Sequence, residues 1–191
     1  EQRTAQEIAR AIEQVGGELT TAAYDTLLKA TITVLSEHTD LAFELLEDVA
    51  LHPSFPAGEV ENERQRALTN LEAALASPVE VGYRAFDAIV YGPHPYGQLA
   101  TGETIQAISR EDIISYYRRQ LDPTAAFLVI AGDIAPETAI QHAEAAFGKW
   151  TARTAAAQAA LPRPPQREQT IVYLVDRPGS TQAEVLVGHL G

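Results

Sequence analysis

The sequence predicts an α+β fold, a mixed and mostly antiparallel sheet with helices packed on one face. Three observations point there. Apolar residues recur at helical spacing in several well-capped stretches, and runs rich in Thr and β-branched residues lie between them. The two kinds are interleaved without the strict alternation that a parallel sheet demands. At 191 residues, with 46% hydrophobic and 21% charged, the chain also has enough apolar material for one domain with a sizeable core.

Taken in order, Thr4 is placed to cap a first helix, and Glu7 three residues on completes a capping box. Ile8, Ala9, Ile12 and Val15 form its apolar stripe, which Gly16-Gly17 stops. Leu19 to Tyr24 and Leu27 to Leu35 read as a hairpin around a turn at Asp25. From Asp40 to Leu51, positions 41, 42, 45, 46, 49 and 50 make one helical stripe with acids opposite. His52-Pro53 ends that helix, because proline disfavours helix in the residue before it.

A long helix over about Gly58 to Ala76 is expected to bury Val60, Ala67, Leu68, Leu71, Ala74 and Leu75, and Ser77-Pro78 closes it. Another runs from Val79 to Tyr91, followed by the loop Gly92-Pro93-His94-Pro95-Tyr96-Gly97. Thr101 to Ile108 and Ser109 to Leu121 read as two helices, the second opened by a capping box of Ser109 and Asp112. Ala126 to Ala131 is a short continuous apolar run, the pattern of a central strand buried on both faces. Gly132-Asp133 turns out of it into a helix from Pro136 to Phe147. Residues 151–169, built from Ala, Gln, Arg and Pro, read as a surface linker. Two last strands, Thr170 to Val175 and Ala183 to His189, flank Asp-Arg-Pro-Gly-Ser-Thr.

Charge narrows the function classes. The net charge is −12, a sign that repels phosphate backbones, so nucleic acid is not an expected partner. Between Lys29 and Arg64 there is no Lys or Arg, while Glu37, Asp40, Glu44, Glu47, Asp48, Glu59, Glu61 and Glu63 fall there. They read as the solvated faces of two helices or, more sharply, as an acidic wall that prefers basic peptides. The absence of cysteine rules out disulfides, thiolate catalysis and Cys-ligated zinc. No apolar run approaches the roughly 18 to 20 residues that cross a bilayer, so no membrane span is expected. The chain starts at Glu1 and has no Met, and is expected to begin inside a longer gene product.

Local chemistry is sparse. The histidines are His38, His52, His94, His142 and His189, and no two stand at the i, i+4 spacing that puts two imidazoles around a metal on one helix face. His52 and His94 both precede proline, where a turn role is expected. Nucleophile elbow, phosphate-cradling loop and dinucleotide fingerprint are all missing. Composition and spacing alone give an α+β domain without a visible active site.

The order of pieces nevertheless resembles a known family. The pieces are Thr4-Ala5-Gln6-Glu7-Ile8-Ala9 through Val15-Gly16-Gly17-Glu18-Leu19, then Leu51-His52-Pro53-Ser54-Phe55 and Glu63-Arg64. His94-Pro95-Tyr96-Gly97, Ser109-Arg110-Glu111-Asp112, Val129-Ile130-Ala131-Gly132-Asp133 and Asp176-Arg177-Pro178-Gly179-Ser180-Thr181-Gln182 follow. Together they are similar to insulinase/pitrilysin-type (inverzincin) zinc metallopeptidases, which include the mitochondrial processing peptidases. The resemblance covers nearly the whole chain and implies a mitochondrial processing peptidase/LuxS-like metallohydrolase fold. Such proteins carry two domains, in tandem or in paired subunits, that close like a clamshell over a peptide.

What the resemblance implies for the site turns on one position. Active members hold zinc with His-x-x-Glu-His on a helix and a Glu on a later helix, and the motif's Glu activates the attacking water. That motif would lie upstream of Glu1. The later ligand follows the Glu-Arg pair by seven residues, which puts Asn70 in its place, and Pro78 gives the same register. An amide there should cost most of the affinity for zinc. The resemblance therefore implies a catalytically inactive domain with no cofactor of its own, zinc belonging only to an active partner. Residues 1–191 would be a single insulinase-type domain, the N-terminal half of a two-domain protein. Within it, 151–169 is the linker and 170–191 the final strands or the lead into the second domain. The family's peptide-adding edge strand would be Glu18, Leu19, Thr20, Thr21, Ala22 and Ala23, and the expected partners are a peptide substrate and an active zinc-peptidase subunit or second domain. The alternative is an active zinc-dependent endopeptidase whose metal motif lies upstream of this stretch. Bacterial paired members are often exported, which makes the periplasm the expected location.

Overall fold

The first helix, α1 (Ala5–Gln14), is fixed at both ends by its own sequence. Thr4 Oγ1 accepts from the Glu7 N–H, and Glu7 Oε2 accepts from the Thr4 N–H at 2.7 Å, which satisfies two otherwise orphaned donors. At the other end Gly17 N–H donates to Ile12 O and Gly16 N–H to Glu13 O, both at 3.0 Å, with Gly16 in the left-handed region at φ 63°. The chain then reverses directly into β1 (Glu18–Ala23), which pairs antiparallel with β2 (Leu28–Thr33) in a register from Glu18↔Thr33 to Ala23↔Leu28. The turn closes through Tyr24 N–H on Leu27 O at 2.8 Å.

The computed structural model describes residues 3–24, 26–151, 161–166 and 169–190; Asp25 and most of the expected linker over 151–169 lie outside them. The chain folds as two compact units, Glu1–Phe55 with Ile114–Ala156, and Pro56–Ile113 with Ala157–Gly191.

In the first unit, α2 (Thr39–Leu51) buries Ala42, Phe43 and Leu45, and Leu45 is fully enclosed. Helix α7 (Pro136–Phe147) packs against α2, burying Ala139 and Ala146 and stacking His142 on Phe43 with ring centroids 5.2 Å apart. Ile12 of α1 joins the buried set. Asp48 overturns the expectation that the α2 acids are all solvated. It is 5% exposed and sits 3.8 Å from Arg3 Nη1, a cation supplied from far along the chain. The loop after α2 carries Phe55 at φ 47°, an unusual conformation for a bulky residue. Its ring meets Tyr117 edge-on at 5.3 Å, and the Tyr117 hydroxyl donates to Ala50 O at 2.9 Å, capping α2.

The second unit is built on α3 (Ala57–Ala76), α4 (Pro78–Tyr91) and the short α5 (Gly102–Ala107). Ser77 caps α4 by accepting from the Glu80 N–H. The expected stripe of α3 is only half-buried at Val60, Ala67, Leu68, Leu71 and Ala74, and Leu75 is 52% exposed, so this face is shallower than its sequence pattern. Helix α6 (Arg110–Gln120) contains the division between the units, and its capping box forms as expected, with the Ser109 N–H on Asp112 Oδ2 at 2.9 Å.

The class is α+β, with helices α1 and α2 packed on the β1–β2 hairpin. Among the described residues the sheet has only those two strands. Ala126 to Ala131 is therefore not a central strand buried on both faces. It has no ladder partner among them, and Phe127 and Val129 are 85% and 77% exposed while Leu128 and Ile130, alternating with them, are 42% and 39% exposed. Residues 170–175 and 183–189 likewise lack ladders and show the same two-residue alternation, with Val172, Leu174, Val185 and Val187 pointing outward. A continuous apolar run specifies an extended chain that can be covered on both faces; whether neighbouring strands cover it is decided elsewhere. The inner side of 183–189 rests on α4, where Leu186 lies by Gly82 and Gly188 by the Phe86 ring.

Candidate functional site

Asn70 lies on an exposed part of α3, six residues before its end. At 100° per residue, Glu63 is only about 20° around the helix from it and Glu72 about 200°. Glu63 is already occupied, with its carboxylate 3.1 Å from Arg66 Nη1. Glu72 points elsewhere on the helix. The amide of residue 70 supplies no anionic oxygen, the kind of donor zinc takes beside two neutral imidazoles, so this residue does not fit that ion. Among the described residues no group of three or more His, Cys, Asp or Glu side chains converges to hold a metal.

Three of the five histidines, His94, His52 and His142, have structural roles. His94 is buried; its Nδ1 accepts from the Tyr96 N–H at 3.2 Å and its ring clusters with those of Tyr91 and Tyr96, which fixes the 3₁₀ turn Pro95–Gly97. His52 caps the end of α2, as its place before proline implied. His142 bridges α7 to α2, with Nδ1 3.3 Å from Asp40 Oδ1. His38 sits 3.7 Å from Glu37, and His189 is exposed.

Several acids of the acid-rich stretch, though exposed, have a cation or histidine nearby. Glu37 and Asp40 face histidines, Glu44 lies 2.9 Å from Arg3, Glu61 lies 2.9 Å from Arg64, and Glu63 has Arg66. Titration shifts follow local hydrogen bonds. Glu7 is lowered by the Thr4 backbone N–H, Glu61 by the Gln65 side-chain amide, and Asp122 by the Thr124 hydroxyl, while burial raises Tyr117. Each of these groups caps or steadies a helix or turn.

The edge strand β1 is the better-formed surface. Leu19 is half-buried and the rest of Glu18–Ala23 is exposed. One side of β1 pairs with β2; the other has no ladder partner among the described residues. Unpaired N–H and C=O groups along such an edge can accept an extended peptide.

Three arginines carry roles that the sequence did not disclose. Arg64 Nη1 donates to Ile105 O at 2.7 Å and to Gln106 O at 3.3 Å, placing a cation on the C-terminal carbonyls of α5. Arg177 does the same for α3, with Nη2 on Ala76 O at 2.7 Å. Arg84 Nη2 ties down Ala100 O at 2.7 Å. Their acceptors lie 41, 101 and 16 residues away, beyond any local spacing rule.

Comparison with known proteins adds to this geometry. Residues 1–103 match the family model described as insulinase, peptidase family M16, and residues 107–191 match the model described as the peptidase M16 inactive domain. An uncharacterized zinc protease of Mycobacterium leprae is 32% identical over 150 residues, which covers 76% of this chain and 33% of that protein. The crystal structure of a peptidase M16 inactive domain from Pseudomonas fluorescens is similar with a TM-score of 0.75 at 19% identity, over 86% of this chain and 40% of that one. That of a protease from Helicobacter pylori gives 0.72 at the same identity and coverage. At such identity the two structures bear on the fold alone.

Fold and matches define the class, an α+β domain of the metallopeptidase type. The chain belongs to the insulinase family, peptidase family M16. It spans about a third of the length of the mycobacterial relative and two-fifths of the solved chains.

Proposed function

We propose that this chain is a catalytically inactive domain that acts as scaffold and peptide-contacting half of a clamshell, closed by an active zinc-bearing subunit or second domain. The observation that carries the reading is Asn70. It stands where the family resemblance calls for a carboxylate, it is exposed on α3, and the nearest acid on that face is held by Arg66. The description of the model matched by residues 107–191, an inactive domain, supports the same reading. Zinc belongs, on this view, to the partner.

Peptide contact is assigned to Glu18, Leu19, Thr20, Thr21, Ala22 and Ala23. Strand addition at this edge would give sequence-tolerant affinity through backbone hydrogen bonds. On this reading residues 1–191 are the single insulinase-type domain that forms the N-terminal half of a two-domain protein, and 170–191 supply its final strands or the lead into the second domain. The exposed Val172, Leu174, Val185 and Val187, each 80% to 94% exposed, support a role in contacting it, since large apolar side chains left open to water are the material of an interaction face.

Amide NMR during titration with an unstructured peptide tests the edge. Shift changes confined to residues 18 to 23 and their β2 partners are expected; a spectrum unmoved at saturating peptide removes the peptide-contacting role. A second reading, an active zinc endopeptidase whose metal motif lies upstream of this stretch, is favoured by the zinc protease names of the relatives. Zinc analysis and peptide hydrolysis by the full-length gene product decide between the two. Activity that is lost on mutating residue 70 would establish the second.

A further inference from the structure

We draw no further inference here: the strongest candidate, the outward apolar face of residues 126–131 with Phe127 and Val129 85% and 77% exposed, has nothing in the structure to show what covers it.

Discussion

Replacing Gly17 by alanine should damage the fold at the start of β1 more than replacing its neighbour Gly16. Gly17 does not need a left-handed backbone, so its role is space. A Cβ there would lie 2.6 Å from Ile12 Cδ1, 2.8 Å from the Thr33 carbonyl oxygen and 2.8 Å from Val34 Cγ1. The Ile12 methyl can rotate aside, although it is buried. The Thr33 carbonyl cannot, because it belongs to backbone paired in register with Glu18. Relief therefore requires the first rung of the hairpin to move. Overpacking of this kind costs about 1–3 kcal/mol, and a backbone obstacle places Gly17→Ala toward the upper end. Gly16 is the reverse case, with φ 63° and nothing within 4 Å, so Gly16→Ala costs only the left-handed conformation, about 1 kcal/mol. For a chain of this size one kcal/mol moves Tm by roughly 2–4 °C, which gives a fall of about 4–12 °C for Gly17→Ala and about 2–4 °C for Gly16→Ala. Calorimetric melts of the three proteins measure this directly, and amide shifts of Glu18–Ala23 report whether the strand has moved. A Gly16 variant less stable than the Gly17 variant would refute the steric account.

The arginine cap on α5 can be tested through Arg64→Ala. Losing charged hydrogen bonds to Ile105 and Gln106 should cost about 1.5–3 kcal/mol and speed hydrogen exchange in α5, and unchanged exchange there would remove the assigned role. Tyr117→Phe should cost about 1 kcal/mol through the bond to Ala50 O. It should also alter alkaline behaviour. Burial raises the Tyr117 pKa above its ordinary 10.0, so its contribution is complete below that pH and is lost as pH rises through the folded value. The wild-type chain should therefore lose stability faster than Tyr117→Phe above about pH 10, in urea melts taken at intervals from pH 8 to 11. Asn70→Glu should leave this chain without stoichiometric zinc in equilibrium dialysis, because one added carboxylate supplies no imidazole. Tight zinc binding by the unmodified chain, lost in Asn70→Ala, would contradict the inactive assignment.

Helix ends were readable from the sequence because their causes are local. Thr4 with Glu7, Ser109 with Asp112, and Gly16-Gly17 each act within a few residues, and all behave as the sequence implied. The hairpin was readable for the same reason. Burial was read less well. Asp48 looked like one more solvated acid until Arg3 was brought beside it, and the shallow face of α3 depends on how much material lies over it. The run over 126–131 shows the limit most clearly. Its apolar residues dictate extended chain, yet a ladder needs a second strand at the right edge, and that is a non-local fact. At the candidate site both features are local, Asn70 numbered from a motif and Arg66 one turn from Glu63 on the same helix.

The pieces that carry the family resemblance have mechanical tasks in this chain. Gly16-Gly17 lets α1 reverse into β1, His94 fixes a turn, and Arg64 and Arg177 close the ends of α5 and α3. None of these tasks needs a metal or a reacting peptide. The likeness to a peptidase family therefore rests, in this chain, on residues that shape backbone. Exchange of a carboxylate for an amide on an exposed helix face perturbs folding by little, commonly within about 0.5 kcal/mol. Losing a helix cap or the close packing at Gly17 costs several times more. On these magnitudes the fold is far more tightly tied to the turn and cap residues than to residue 70.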